Sequence, residues 1–532
     1  MKKILVSAII AGGAISGASA QSAVDAYNLS QSDLRGTARF MSMGGAFTAL
    51  GGDLSTLSQN PAGIGVYRKS EVGITVDFNM TNSKVATSAG DFKENHTHVY
   101  CNNFGYIGSI DLGRSSTLRT FNWGASYNRV ASFDRTFHIG EGSGSNYYGP
   151  SISSSLSNYI ASFTDYSPGE LNAYQNNYNP YQDSDADWLS ILAYNSYMIN
   201  PNSSNGYNGL WRQGQSSGDM GAWVRERGQI DEYNLDFGGN VLDVVYWGVG
   251  FGITSLNYTQ EADYDEKIYD ARIPNQAATG TEVGDAYFNL MNNKRITGTG
   301  FNFKLGVIVK PINELRLGFA LHTPTYYNLS QNFDAGTNFD YSSGYDNMNE
   351  YTDYGYFDWK LRSPWRMMFG IAGVIGGQGI ISVDYERDAY DNMKISDRGI
   401  NYNYGPENQD IKNYYQGSNT LRVGAEYRVT PSFSLRAGYS YVTSNVKTEA
   451  ENGSTEIYTS GTNPAYVLNK DTQYITLGVG YRYKAFYADA AYVYKTRKST
   501  YHAFTDYEGV KAPSFDLTDN NNNIVVSVGL KF

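Results

Sequence analysis

The chain ends Ile524-Val525-Val526-Ser527-Val528-Gly529-Leu530-Lys531-Phe532. Extended backbone sends successive side chains to opposite faces. Ile524, Val526, Val528, Leu530 and Phe532 therefore share one face, and Val525, Ser527, Gly529 and Lys531 the other. The same two-residue period runs backwards through the chain. Ile475, Leu477, Val479, Tyr481 and Tyr483 alternate with Thr476, Gly478, Gly480 and Arg482. Leu421, Val423 and Ala425 alternate with Arg422, Gly424 and Glu426, and Trp247, Val249, Phe251 and Ile253 with Gly248, Gly250, Gly252 and Thr254.

A soluble sandwich also alternates. Three features separate this chain from one. The polar face carries Arg, Lys and Glu beside Gly, as a wet lumen would. The runs are about ten residues long, enough to cross a bilayer at a tilt. The terminal phenylalanine resembles the carboxy-terminal signal read by the machinery that inserts outer-membrane barrels. Lipid offers backbone groups no partners, so a spanning sheet must close on itself. The fold class expected is all-β, a transmembrane antiparallel barrel of about fourteen strands. The strands fall near 70–82, 98–112, 118–133, 229–239, 243–260, 297–310, 313–331, 353–375, 378–391, 418–430, 432–447, 472–484, 486–502 and 523–532. Pro311-Ile312-Asn313, Thr430-Pro431 and Lys484-Ala485 read as tight periplasmic turns; 140–228, 261–296, 392–417 and 448–471 read as long outer loops. Within the longest, Asp185-Ala186-Asp187-Trp188-Leu189-Ser190-Ile191-Leu192-Ala193-Tyr194 has an aspartate start and an apolar helical face, which suits a helical lid or a merely decorative loop.

At the other end, Met1-Lys2-Lys3, a short apolar stretch and Ala18-Ser19-Ala20 make a secretory leader over residues 1–20. No cysteine follows the cleavage site, which argues against a lipoprotein anchor. The composition agrees with a barrel. Tyr is 47 of 532 residues and Gly 57, while Pro is only 13. A mean hydropathy of -0.45 fits a wall wet on one face. A single cysteine, Cys101, excludes a disulfide framework, and a net charge of -11 argues against a nucleic-acid partner.

Residues 21–67 lack the strand period and read as a small N-terminal plug, before a barrel over 68–532. Here the chain carries Gly44-Gly45-Ala46-Phe47, then Asn60-Pro61-Ala62-Gly63 directly before the first strand. With Lys304-Leu305-Gly306-Val307, Ser363-Pro364-Trp365-Arg366 and Leu435-Arg436-Ala437-Gly438-Tyr439, this pattern resembles the long-chain fatty acid transporter family of outer-membrane proteins, which includes aromatic-hydrocarbon channels (FadL/TodX-like). The resemblance implies a fourteen-stranded barrel with a plug, located in the Gram-negative outer membrane. It implies passive uptake of hydrophobic compounds such as long-chain fatty acids, and exit sideways through a kink in the third strand. It also implies a monomer whose partners are the ligand, outer-membrane lipids and lipopolysaccharide.

The motif residues Asn60, Pro61, Ala62 and Gly63 also suit a rigid sharp turn into the first strand. Phe40, Met41, Met43 and Phe47 are either plug core or an adaptable ligand pocket. In the third strand Phe121, Trp123, Ala125 and Tyr127 share a face that would carry Arg129 onto lipid, at about 2–4 kcal/mol if mid-membrane. A bulge near Ser126, Asn128, Arg129 and Val130 removes that cost; a position at the interface would also remove most of it. His96, His98 and Cys101 lack a fourth ligand, so no metal site is assigned. His322 reads as a solvated lumen histidine. No cofactor motif appears: Gly248-Val249-Gly250-Phe251-Gly252 alternates on a strand with no helix after it. Gly-x-Ser-x-Gly and His-Glu-x-x-His are missing, so an enzyme is not expected. The competing functions are a general porin or structural barrel, and an outer-membrane hydrolase.

Overall fold

The computed structural model describes residues 21–141, 149–399 and 402–532; the leader expected over 1–20 lies outside the described residues. Fourteen antiparallel staves close into one barrel. They are β1 (Glu71–Thr87), β2 (Gly90–Asp111), β3 (Leu118–Ser132, continued by Arg135–Ile139), β4 (Ser217–Val241), β5 (Val245–Pro274), β6 (Thr281–Ile312) and β7 (Leu315–His322, then Tyr326–Tyr341). The second half holds β8 (Gly355–Arg362, then Arg366–Ile375), β9 (Gly379–Asp388), β10 (Ser418–Arg428), β11 (Phe433–Val442), β12 (Tyr466–Tyr483), β13 (Phe486–His502) and β14 (Ser514–Lys531). Each corresponds to one run read from the sequence. Closure is made by β14 on β1, from Ala86↔Asp516 down to Glu71↔Lys531. Ser70 and Phe532 then exchange both backbone hydrogen bonds at 3.0 Å.

The outward face is apolar all the way round. Ile74, Phe78, Phe104, Leu235, Phe251, Phe301, Leu317, Phe369, Ile381, Leu421, Leu435, Leu477, Val526 and Leu530 are all exposed. A continuous apolar belt of this extent marks a lipid-facing surface. No helix among the described residues is long and apolar enough to cross a membrane; the apolar belt is carried by the strands.

The segment 261–296, expected as a loop, is strand: β5 and β6 pair as far as Pro274↔Thr281. Residues 217–228 likewise belong to β4, so the outer insert ends sooner than expected. The reason is chemical. In the lower half of β5 the odd residues Val249, Phe251 and Ile253 face out and the even Gly248, Gly250 and Gly252 face in. Higher up the parity is unchanged but the chemistry swaps. Glu261, Asp263 and Asp265 face out, while Ala262, Tyr264 and Ile268 are buried inside. A wall rising into water needs a polar exterior and has an apolar interior to fill. That interior receives the insert between β3 and β4: short helices Leu156–Phe163 and Trp188–Asn195 pack with Phe137, Phe288, Phe339, Tyr501 and Phe504. Glu266, placed by the sequence in an exposed loop, is fully buried and accepts the Leu156 N–H at 2.7 Å.

Candidate functional site: the plugged lumen and the β2–β3 gap

Residues 21–66 lie inside the barrel. α1 (Ala23–Asn28) starts at a capping box between Ser22 and Asp25. α2 (Ala38–Ser42) is capped by Thr37, which is tied to Asp53 at 2.7 Å. The Asn60 side chain caps the 3-10 turn Pro61–Val66 by accepting the Ala62 N–H at 3.0 Å, and donates to Thr48 O at 2.6 Å. Pro61 supplies the first residue of that turn. The barrel's inward glycines exist for this fit. A Cβ on Gly306 would sit 1.9 Å from Asn60 Oδ1, and one on Gly248 2.1 Å from Pro61 O. Polar ties complete the seating: Arg39 to Glu426 at 2.9 Å, Thr48 N–H to Asp384 at 2.7 Å, and His322 to Gln59 O at 2.8 Å. His322 is thus a buried plug contact, which corrects the solvated reading, because the segment it faces passes within hydrogen-bonding distance.

Met43 and Phe47 are fully buried, with Phe40 and Met41, in a core shared with Val493 and Val525. Only Met41 and Phe40 reach open space. Two cavities flank the segment Asp33-Leu34-Arg35. One is bordered by Met41, Tyr100, Arg135, Glu226, Tyr258, Tyr474, Lys495, Arg497 and Asp519. The other is bordered by Phe40, Arg129, Val130, Glu232, Lys304, Tyr327, Arg366 and Glu386. Their charges are paired, wall to plug or between neighbouring staves: Lys495 with Asp33 at 2.5 Å, Arg35 with Asp77 at 3.3 Å, and Arg135 with Glu226 at 2.6 Å.

Both cavities meet the wall at the same place. β2 and β3 pair only from Asp111↔Thr120 to Asn103↔Asn128. Above that point β2 pairs with β1 alone and β3 with β4 alone. The β3–β4 ladder shifts register between Arg129 and Ala131, and the β1–β2 ladder shifts at the same level, between Thr75 and Val76. The freed carbonyl of Val130 accepts the Asp33 N–H of the plug at 3.0 Å. Ser126 and Asn128 are buried beside the gap and bonded to each other at 2.9 Å. Arg129 keeps its outward phase without facing lipid: it pairs with Asp231 at 3.2 Å and lies 4.9 Å from the Tyr100 ring centroid.

Tyr100 spans the gap. From β2 its hydroxyl donates to Asp134 at 2.6 Å, in the break of β3, and accepts from Ser132 at 3.2 Å, the last residue before that break. Arg35 of the plug also lies over its ring, at 5.0 Å. Side chains here replace the missing backbone ladder. The sequence reading did not single out Tyr100, whose role depends on the two strands parting. Elsewhere, the rings of His96 and His98 are 6.4 Å apart, and no group of three His, Cys, Asp or Glu side chains among the described residues could hold a metal.

No protein-family model matches the sequence, and no curated protein matches it. Solved structures do. A Pseudomonas aeruginosa FadL homologue superposes over 94% of this chain and 99% of its own, at 12% identity and a TM-score of 0.52. The chain has the fold of a FadL homologue. Two toluene transporters, TodX of P. putida (14% identity, TM-score 0.48, 94% and 99% covered) and TbuX of Ralstonia pickettii (12%, 0.46, 95% and 100%), are also similar. With its lipid-facing belt, the FadL-type barrel is an outer-membrane barrel.

Proposed function

We propose that the protein is an outer-membrane channel for passive uptake of hydrophobic compounds carrying a polar head, long-chain fatty acids being the model ligand. The ligand leaves sideways through the β2–β3 gap. The observation that carries the reading is the gap itself: both lumen cavities reach the wall where the ladder stops, while the plug fills the straight path. A general porin needs an open lumen; here the lumen holds a seated plug, tied to the wall where Arg39 joins Glu426, which Arg436 links in turn to Asp489 along neighbouring staves at 2.6 Å each. The paired guanidiniums and carboxylates around both cavities suit a polar head, and Met41, Phe40, Tyr258 and Tyr474 suit an apolar tail. No energy source is required, because a greasy solute is stopped by the sugar layer of lipopolysaccharide and not by the hydrocarbon beneath. The plug spans residues 21–67, and residues from about 140 onward form a lid over the mouth. The channel works as a monomer among outer-membrane lipids.

Mass spectrometry of gently purified barrel should find a near-stoichiometric amphiphile. An empty barrel with ohmic ion conductance would establish a porin instead. Asn128→Trp or Ser126→Trp should slow uptake of a fluorescent fatty acid at equal folded barrel. Unchanged uptake would refute the sideways route.

A further inference from the structure

Gln21 is the first described residue and is buried, 1% exposed, deep in the lumen. Its Oε1 accepts a hydrogen bond from the Tyr404 hydroxyl. Its Nε2 is buried and has no partner. The next residues are firmly moored. Asp25 accepts from the Ser22 N–H at 3.1 Å, from Ser460 Oγ at 2.5 Å and from Lys294 Nζ at 2.6 Å. Tyr27 stacks on Tyr415 with centroids 4.8 Å apart. With the Ser22 hydroxyl at 3.2 Å, the Asp25 carboxylate is thus already engaged by four donors.

With the leader cut after Ala20, this site would receive a free α-ammonium as well as the unpartnered amide nitrogen. A buried charge and a buried donor without a partner are both costly. One reaction removes both. We propose that Gln21 is a modification site, cyclised to pyroglutamate before the plug docks. The α-amine nitrogen attacks the side-chain carbon Cδ, the Cδ–Nε2 bond breaks, and Nε2 leaves as ammonia, taking up the proton the amine gives up. Nothing is oxidised or reduced and no co-reactant is consumed. The five-membered lactam keeps Oε1, the atom that Tyr404 serves, and loses Nε2, the atom that nothing serves. The terminus becomes a neutral amide. Burial fixes the order of events: cleavage and cyclisation precede docking, since the docked residue is beyond reach.

The test uses the full-length gene product purified from outer membranes. Its N-terminal peptide should begin at residue 21, be lighter by one ammonia, and resist Edman degradation. A synthetic peptide of the same sequence, carried through the same digest, must stay largely uncyclised, which excludes formation during handling. Gln21→Ala, which cannot cyclise, should still be cleaved and inserted, but its plug terminus should be cut by added protease several-fold faster. A free amine on Gln21, a terminus at another residue, or unchanged protease resistance in Gln21→Ala would overturn the proposal.

Discussion

Replacing Tyr100 tests whether a side-chain bridge closes the wall. The ring carries two guanidinium contacts, from Arg35 and Arg129, and its hydroxyl bonds the Asp134 carboxylate. Guanidinium–ring contacts are worth about 0.5–2 kcal/mol each. A hydrogen bond to a charged group adds about 1.5–3 kcal/mol. Taking the low ends, Tyr100→Ala relaxes the bridge by about 2.5 kcal/mol, roughly sixty-fold in the ratio of open to closed gap at about 1.4 kcal/mol per factor of ten. Tyr100→Phe keeps the ring and loses only the hydroxyl bond, about 1.5 kcal/mol or roughly twelve-fold by the same conversion. The assay is the initial rate of fluorescent fatty-acid uptake into cells, normalised to heat-modifiable barrel in the outer membrane. The expected order is wild type slowest, Phe intermediate and Ala fastest, until capture at the outer mouth becomes limiting. Equal rates for all three, or slower uptake by Ala at equal folded barrel, would refute a Tyr100 gate.

Gly306→Val should leave a closed barrel but unseat the plug, since its Cβ would lie 1.9 Å from Asn60 Oδ1; overpacking of about 1–3 kcal/mol should appear as higher conductance and faster proteolysis of the plug. Deleting Phe532 removes the last two backbone bonds to Ser70 and should lower insertion, read as less heat-modifiable protein in the outer membrane. Burial raises the carboxyl of Asp187, at the start of the lid helix Trp188–Asn195, to about 6. A carboxyl raised in the folded state favours folding below its unfolded pKa of about 4 and loses that contribution as pH rises through the folded value. The lid should therefore resist protease better at pH 5 than at pH 8, and Asp187→Asn should flatten that dependence.

Every stave was legible because lipid outside and a wet or glycine-lined face inside impose opposite chemistry on alternate residues, as at Val249 against Gly250. The outer halves of β5 and β6 were not legible, because Gln260 to Lys267 puts charge where lower down there is hydrocarbon. Period-two reading scores that as loop, though the backbone runs on unbroken. The helix at Trp188 was visible in its apolar face and aspartate start. At the site, Arg129 drew notice as a charge in the same outward phase as Trp123 and Ala125. Tyr100 did not, since a buried tyrosine on a strand is ordinary until its neighbour strand departs. Asp33, Arg35 and Lys495 were equally silent: their partners lie far away along the chain.

The reversal of chemistry along β5 and β6 also acts as a waterline. Hydrocarbon cannot climb past Gln260, where the outside turns acidic, and water cannot descend past Ile253 without wetting the apolar belt. The barrel therefore floats at one depth, with no anchor needed beyond its own paintwork. The β2–β3 gap is cut into a hull of fixed draught, so the height of the gap in the bilayer is set by strands on another part of the wall. Moving the line, by making Glu261 and Asp263 apolar, would sink the opening towards the periplasm without touching a single residue around it.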